Sequence, residues 1–86
     1  MQKHELQRIP VAGDIEVVEE GTIELADAQS FIGGDVEAIR VPYNGQLLCH
    51  EEGQKTGLPP NPRASAIALR PVVGNAIVLY GRSRWT

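Results

Sequence analysis

Three prolines within four residues constrain this chain more than any other feature of the sequence. Pro59, Pro60 and Pro62 each hold the backbone φ angle near about −65° and remove one hydrogen-bond donor. Asn61 is a favourable helix N-cap, and proline is favoured at the first position of a helix. We therefore expect a rigid loop over residues 57–63 that leads into a helix beginning at Pro62.

The length of the chain and its cysteine content limit how it can be stabilised. The chain has 86 residues and one cysteine, Cys49, so it can form no intrachain disulfide. No Cys/His cluster offers a structural zinc site. Domains of this size bury little surface and are marginally stable. We expect one domain over residues 1–86, with its core over residues 12–81 and a basic tail over residues 82–86. We also expect this domain to form a homo-oligomer, which would bury additional surface.

The hydropathy pattern indicates a folded protein without a membrane partner. Hydrophobic residues make up 42% of the chain and charged residues 22%, as in globular rather than disordered proteins. No apolar run is long enough to span a membrane, and residues 1–5 lack the apolar stretch of a signal peptide. We expect a cytoplasmic protein.

Charge is distributed unevenly along the chain. Residues 1–43 carry nine acidic and three basic side chains, whereas residues 44–86 carry two acidic and five basic ones. This asymmetry predicts either an acidic face and a basic region for different partners, or two surfaces that complement each other within an oligomer.

Helical and extended patterns along the chain predict an α+β fold. In chain order, they are an extended region over residues 8–19, a helix from an N-cap at Thr22 to Gly33, strands over residues 35–41 and 46–51 joined by an Asn44-Gly45 type I′ turn, a helix over residues 62–69 and a strand over residues 76–80. The order β-α-β-β-α-β predicts a small two-layer domain, with two short helices on one face of an antiparallel or mixed sheet.

Groups that could carry out catalysis are few and poorly placed. Cys49 and His50 are adjacent, so on a strand they point to opposite faces and cannot pair. No metal-ligand spacing and no glycine pattern of a nucleotide-binding loop is present. We therefore expect a binding protein with no enzymatic activity, no cofactor and no metal.

The start of the second helix is the leading candidate for a ligand site. The first N–H groups of a helix lack helical partners, and the helix dipole favours an anion there. Arg63 would hold a phosphate by paired charge-assisted hydrogen bonds. The other expected contacts are Asn61, the N–H groups of Ala64 and Ser65, Tyr43 as a stacking surface, and Lys55 and Arg40 as added positive charge. The alternative is a rigid connector whose arginine pairs with a carboxylate.

A family resemblance is strongest at the same segment. Gly-Leu-Pro-Pro-Asn-Pro-Arg at residues 57–63, Leu-Ala-Asp-Ala-Gln-Ser-Phe-Ile-Gly-Gly-Asp-Val-Glu at residues 25–37 and the closing residues 72–79 resemble a family of small phage and mobile-element proteins known as a domain of unknown function. The resemblance covers roughly residues 12–81. It implies a phage or mobile-element origin and, by analogy with other small phage proteins, a counter-defence role.

Two functions are therefore expected. The first is a sponge that sequesters an anionic immune signal, a cyclic or ADP-ribose-type nucleotide, in a pocket between subunits. The second is an inhibitor of a host defence nuclease or CRISPR effector through an acidic surface that mimics nucleic acid. That surface would consist of Glu16, Glu19, Glu20, Glu24 and Asp27. Arg82, Arg84 and Trp85 are a weak footprint for nucleic acid, which we do not expect as a partner.

Overall fold

The computed structural model describes residues 3–85. In chain order, its elements are strands β1 (Glu5–Ile9) and β2 (Glu16–Glu19), helix α1 (Leu25–Ile32), strands β3 (Val36–Val41) and β4 (Gly45–His50), helix α2 (Pro62–Ala68), strand β5 (Ala76–Tyr80) and a 3₁₀ turn, Gly81–Ser83. Met1, Gln2 and Thr86, the ends of the expected N-terminal segment and basic tail, lie outside the described residues. The expected α+β class is confirmed.

The five strands form one antiparallel sheet in the order β2-β1-β5-β4-β3. The last strand in the sequence is central because all five of its residues, Ala-Ile-Val-Leu-Tyr, are apolar enough to be buried on both faces. It pairs with β1 on one side and with β4 on the other. The edges of the sheet are therefore β2 and β3.

The two helices lie on opposite faces of the sheet, which differs from the expected two-layer arrangement. Val78 of β5 packs in the apolar cluster that contains Ala64 of α2. Its neighbour Leu79 packs in the cluster that contains Ala28 of α1. Adjacent strand residues point to opposite faces, so the two clusters are on the two sides of the sheet. Because the central strand is apolar on both sides, each face is covered by one helix; we name them the α1 face and the α2 face.

The N-terminal extended region forms two strands where one was expected over residues 8–19. Strands β1 and β2 pair antiparallel as a hairpin. Between them, Pro10 removes a backbone donor and Gly13 has a φ of 95°, which favours glycine. Leu6 and Ile9 of β1 are fully buried, so the core begins earlier than expected. The element order is therefore β-β-α-β-β-α-β.

Helix α1 ends where the sequence predicts but begins at a different N-cap. Gly33 has a φ of 91°, and its N–H donates to the carbonyl of Gln29 at 2.7 Å, which ends the helix as expected. The N-cap is Glu24 rather than Thr22, and its side chain makes no capping hydrogen bond. Within residues 3–85, neither helix is long and apolar enough to cross a membrane.

The β3–β4 hairpin forms as expected, but its turn is placed one residue earlier. Gly45 already pairs with Val41, which leaves residues 42–44 as the loop. Tyr43 and Asn44, rather than Asn44 and Gly45, have positive φ angles of 64° and 57°. Gly45 is required for packing instead: a Cβ atom there would lie 2.7 Å from the Tyr80 ring and from Val41.

Candidate functional site

Asn61 is the centre of a buried hydrogen-bond network at the start of α2. Its Nδ2 atom donates to the carbonyl oxygens of Ile9 and Gly74, both at 2.9 Å. Its Oδ1 atom accepts from the Ala64 N–H at 3.1 Å, which confirms the N-cap. The residue is 0% exposed. Buried amides need such partners, so Asn61 joins β1, α2 and the segment before β5 and has no atom left for a ligand.

The N–H groups expected to bind an anion are also occupied. The Ala64 N–H is taken by Asn61, and the Ser65 N–H donates to the Asn61 carbonyl at 2.9 Å. The Ser65 hydroxyl accepts from the Val72 N–H at 2.8 Å and donates to the Val72 carbonyl at 3.2 Å. The expected anion site at Ala64 and Ser65 is therefore closed, because local and long-range partners use its donors.

Arg63 has a partner that neither alternative foresaw. Its Nη2 atom donates to the carbonyl oxygen of Pro10 at 2.6 Å. The side chain is half-buried and links α2 to the segment that follows β1. Its partner is thus a backbone carbonyl rather than the carboxylate expected of a connector, and the bond gives Arg63 a structural contact.

Lys55 lies apart from the start of α2, in a cleft of about 500 Å³ on the α2 face. The floor of this cleft is formed by β3 and β4, and its walls are the loop after β4 and the segment after α2. Its charged lining residues carry both signs; they are Glu37, Glu51, Glu52, Lys55 and Arg70. A cleft with such mixed charge has no net preference for an anion.

The cleft contains the cysteine, whose environment does not activate it. The Cys49 Sγ atom lies 3.9 Å from Oε1 of Glu37 on the neighbouring strand. Burial, and to a smaller degree the Glu37 carboxylate, raise the pKa of the Cys49 thiol above its ordinary value. A nucleophilic cysteine needs the opposite shift. Within residues 3–85, no group of His, Cys, Asp and Glu residues can hold a metal ion.

A second groove, of about 350 Å³, lies where the β3–β4 loop meets the C-terminal segment. We name it the hairpin–tail groove. Its polar and aromatic lining residues are Arg40, Asn44, Gln46, Arg84 and Trp85. Arg40 and Gln46 are directly opposite each other on β3 and β4, on the α1 face. Among residues 3–85, none of those that line the groove is acidic.

The C-terminal segment is fixed in place at this groove. The Trp85 N–H donates to Oε1 of Gln46 at 2.7 Å, and Nε2 of Gln46 donates to the Trp85 carbonyl at 3.2 Å. The indole Nε1–H donates to the carbonyl of Ile23 at 2.8 Å, and the ring packs against the α1-face cluster. Residues 82–85 of the expected basic tail are therefore part of the folded domain, and Arg84 and Trp85 form one wall of the groove.

The two arginines of the groove have no carboxylate partner among residues 3–85. Arg84 donates through Nε to the Gly81 carbonyl and through Nη1 to Oδ1 of Asn44, both at 3.1 Å and both neutral acceptors. Arg40 is exposed and makes no side-chain hydrogen bond or ion pair with any residue in the range 3–85. The groove therefore concentrates positive charge.

Two other arginines of the chain, Arg8 and Arg82, are ion-paired. Arg8 pairs with Glu16 at 2.7 Å across the β1–β2 hairpin. Arg82 pairs with Glu20, and this guanidinium holds the pKa of the Glu20 carboxyl below its ordinary value. The first ion pair joins β1 to β2, and the second joins the C-terminal segment to the residue that follows β2.

Of the residues expected to contact a ligand, Arg40 is the one that lines this groove. Tyr43 lies in the adjoining loop and is 90% exposed, but it does not line the groove. The sequence did not indicate that Arg84 and Trp85 line a groove with Arg40, although the basic and aromatic character of the tail was evident. The Gln46–Trp85 contacts join residues 39 positions apart, and nothing in the local pattern reveals them.

Comparison with known proteins identifies a family. No curated protein and no solved structure matches the chain significantly. A family model does match, over residues 6–85, and its description is a domain of unknown function, DUF3846. The match begins at Leu6 in β1 and ends at Trp85, so it includes both helices, the hairpin–tail groove and all of the sheet except Glu5. The chain belongs to the DUF3846 family of domains of unknown function.

Proposed function

We propose that this protein binds a phosphate-bearing, nucleotide-derived molecule in the hairpin–tail groove and sequesters it without converting it. The observation that carries the proposal is the pair formed by Arg40 and Arg84. Neither has a carboxylate partner among residues 3–85, and no acidic residue in that range lines the groove that they share. Guanidinium groups bind phosphate through paired, charge-assisted hydrogen bonds.

The geometry of the groove suits this ligand class. Its volume of about 350 Å³ is within the range of small-molecule sites. The Arg84 side chain is oriented by two neutral acceptors, so little conformational entropy is lost when it binds an anion. The half-buried Trp85 ring, held through its indole N–H, offers an aromatic surface for a base. Tyr43, exposed in the adjoining loop, is a second aromatic group for stacking.

The biological part of the proposal rests on the resemblance to small phage and mobile-element proteins. In that setting the ligand is an immune signal of the host, a cyclic or ADP-ribose-type nucleotide, and the protein is a counter-defence sponge acting in the host cytoplasm. Burial raises the pKa of the Cys49 thiol, so the proposal assigns this cysteine no nucleophilic role.

The alternative, an acidic surface that mimics nucleic acid, has weaker support. Glu16 and Glu20 are ion-paired with Arg8 and Arg82, which reduces the charge that this surface can present. Inhibition of a host nuclease or CRISPR effector therefore remains the second proposal.

Calorimetry with pyrophosphate, cyclic dinucleotides and ADP-ribose isomers tests the proposed function. We expect at least one ligand to bind, and Arg40→Ala and Arg84→Ala each to weaken its affinity by about 10- to 100-fold, since a hydrogen bond to a charged group contributes about 1.5–3 kcal/mol. Arg70→Ala is the matched control, because Arg70 lines the mixed-charge cleft instead. No binding to any ligand by folded protein, or an equal loss with Arg70→Ala, would contradict the proposal.

A further inference from the structure

The two edges of the sheet differ in their ability to pair with a second copy of the chain. Among residues 3–85, the backbone of β3 is hydrogen-bonded to β4 alone, so the outer side of this six-residue strand has unpaired donors and acceptors. The other edge, β2, has four residues and carries Glu16 and Glu19 at its ends. Strand edges with unpaired groups recruit further strands unless charge prevents it.

The charges on the strands themselves favour β3 over β2 as the pairing edge. Over its length, β3 has one acidic and one basic residue, Glu37 and Arg40, and therefore no net charge. Two copies of β2 would instead bring four carboxylates together, next to Glu20. A single domain of this size also gains stability from any further buried surface. The zero net charge of β3 and its greater length both favour β3 over β2 as the edge that pairs with a second copy.

Symmetry and the strand pleat restrict how two β3 strands can pair. Closed dimers have a two-fold axis, and an antiparallel pair of identical strands in one continuous sheet requires the axis perpendicular to the sheet. Two residues that are directly opposite each other must then have side chains on the same face of the sheet. The axis therefore passes between two copies of the same residue, one from each chain. The two central registers place either Ala38 opposite Ala38 or Ile39 opposite Ile39.

We propose that the protein forms a dimer in which β3 pairs with β3 of a second copy, with Ile39 opposite Ile39, and that each copy contributes Arg40 to one shared anion site. In this register Ala38 is opposite Arg40 of the second copy, and this small residue leaves space for the long side chain. The two Arg40 residues are then diagonal neighbours on the α1 face, roughly 7–8 Å apart between Cα atoms.

The shared site follows from the position of the hairpin–tail groove. A two-fold axis perpendicular to the sheet keeps both α1 faces on the same side, so the two grooves are adjacent across the axis. Each brings Arg40 and Arg84, and the four guanidinium groups repel one another until an anion bridges them. The site thus suits a ligand with two phosphate groups, such as a pyrophosphate or a cyclic dinucleotide, and the dimer is stabilised by that ligand. This inference rests on the proposed function for its ligand class.

Cysteine cross-linking tests the register without relying on affinity. In a Cys49→Ser background, Ile39→Cys is expected to give a disulfide-linked dimer in oxidising buffer with pyrophosphate, because directly opposed Cα atoms are about 4.5–5.5 Å apart and disulfides span about 4.4–6.8 Å. Ala38→Cys tests the other register, and Val17→Cys on β2 is the control for the other edge. Circular dichroism establishes that each variant is folded.

Sedimentation of the wild type, with and without pyrophosphate, completes the test. A cross-link at Ile39 alone, with a larger dimer fraction in pyrophosphate, supports the inference. A cross-link at Ala38 or Val17, or a monomer that binds pyrophosphate, overturns the inference and leaves the proposed function intact. A dimer that cross-links at Ile39 but binds no phosphate ligand overturns the proposed function and the shared site, while the strand pairing stands.

Discussion

The start of α2 and the hairpin–tail groove contain the same pair of residue types but differ in what remains available for a ligand. At the start of α2, Asn61 is fully buried and Arg63 donates to a backbone carbonyl. In the groove, Asn44 is exposed and orients Arg84, while Arg40 has no side-chain partner in the range 3–85. An arginine beside an asparagine is thus a structural device in one place and an open cationic site in the other.

The difference arises from distant partners rather than from local sequence. Asn61 reaches the carbonyl of Ile9, 52 positions away, and Arg63 reaches Pro10, 53 positions away. Both acceptors are at the end of β1, which stands beside the central strand. Because β1 ends at α2, the polar atoms of the helix start are used within the protein, whereas Arg40 of the groove has no side-chain partner among residues 3–85.

The largest expected effect on stability is at the start of α2, where Asn61 is buried. Asn61→Ala would leave the Ile9 and Gly74 carbonyls and the Ala64 N–H without a buried partner. Since each unsatisfied group costs about 1–3 kcal/mol, we expect the free energy of unfolding to fall by about 3–4 kcal/mol. Urea denaturation measures this loss. Asn44→Ala is the matched control, and an equal loss there would remove the contrast between the two regions.

A smaller effect is expected from the serine of α2. Ser65→Ala removes the hydroxyl that both accepts from and donates to the Val72 backbone, and we expect a loss of about 1 kcal/mol. Ser30→Ala, at an exposed position of α1, is the control and should change stability by less than about 0.5 kcal/mol. If thermal melting gives the same midpoint for both variants, the donors at the start of α2 are not used as described.

The smallest effect concerns the compensated Arg82. The folded-state pKa of Glu20 is lowered by its hydrogen bond and charge contact with Arg82, so the resulting stability is present above the ordinary carboxyl pKa and is lost as pH falls through the folded value. We expect Arg82→Ala to lower the melting temperature slightly at neutral pH and not at about pH 2. A difference that is the same at both pH values would show that Arg82 acts through packing instead.

Much of the fold follows from sequence patterns because its determinants are local. The Asn61-Pro62 helix start, the Gly33 stop and the β3–β4 hairpin were all predicted, since capping and turn chemistry depend on neighbouring residues. The opposite placement of the helices was not predicted. It depends on β5 being the central strand, and strand order is set by long-range pairing.

The site was harder to predict for the same reason. The start of a helix beside an arginine predicts an anion site only if its N–H groups have no other partner. The partners of Asn61 are distant in the chain, so the local sequence does not predict them. Arg40 was predicted as a contributor of charge, whereas Arg84 and Trp85 were assigned to a basic tail outside the core. Their position in the groove depends on the Gln46 contacts, which only the folded chain reveals.

One paired measurement tests most directly whether the two arginine regions differ as described. Arg40→Ala and Arg63→Ala would be compared for urea unfolding and for calorimetric binding of the phosphate ligand that the wild type binds. We expect Arg40→Ala to weaken binding by about tenfold or more with stability unchanged within about 0.5 kcal/mol. We expect Arg63→Ala to lower stability by about 1 kcal/mol with affinity unchanged within about twofold. The reverse pattern, with binding lost in Arg63→Ala and retained in Arg40→Ala, would contradict the account.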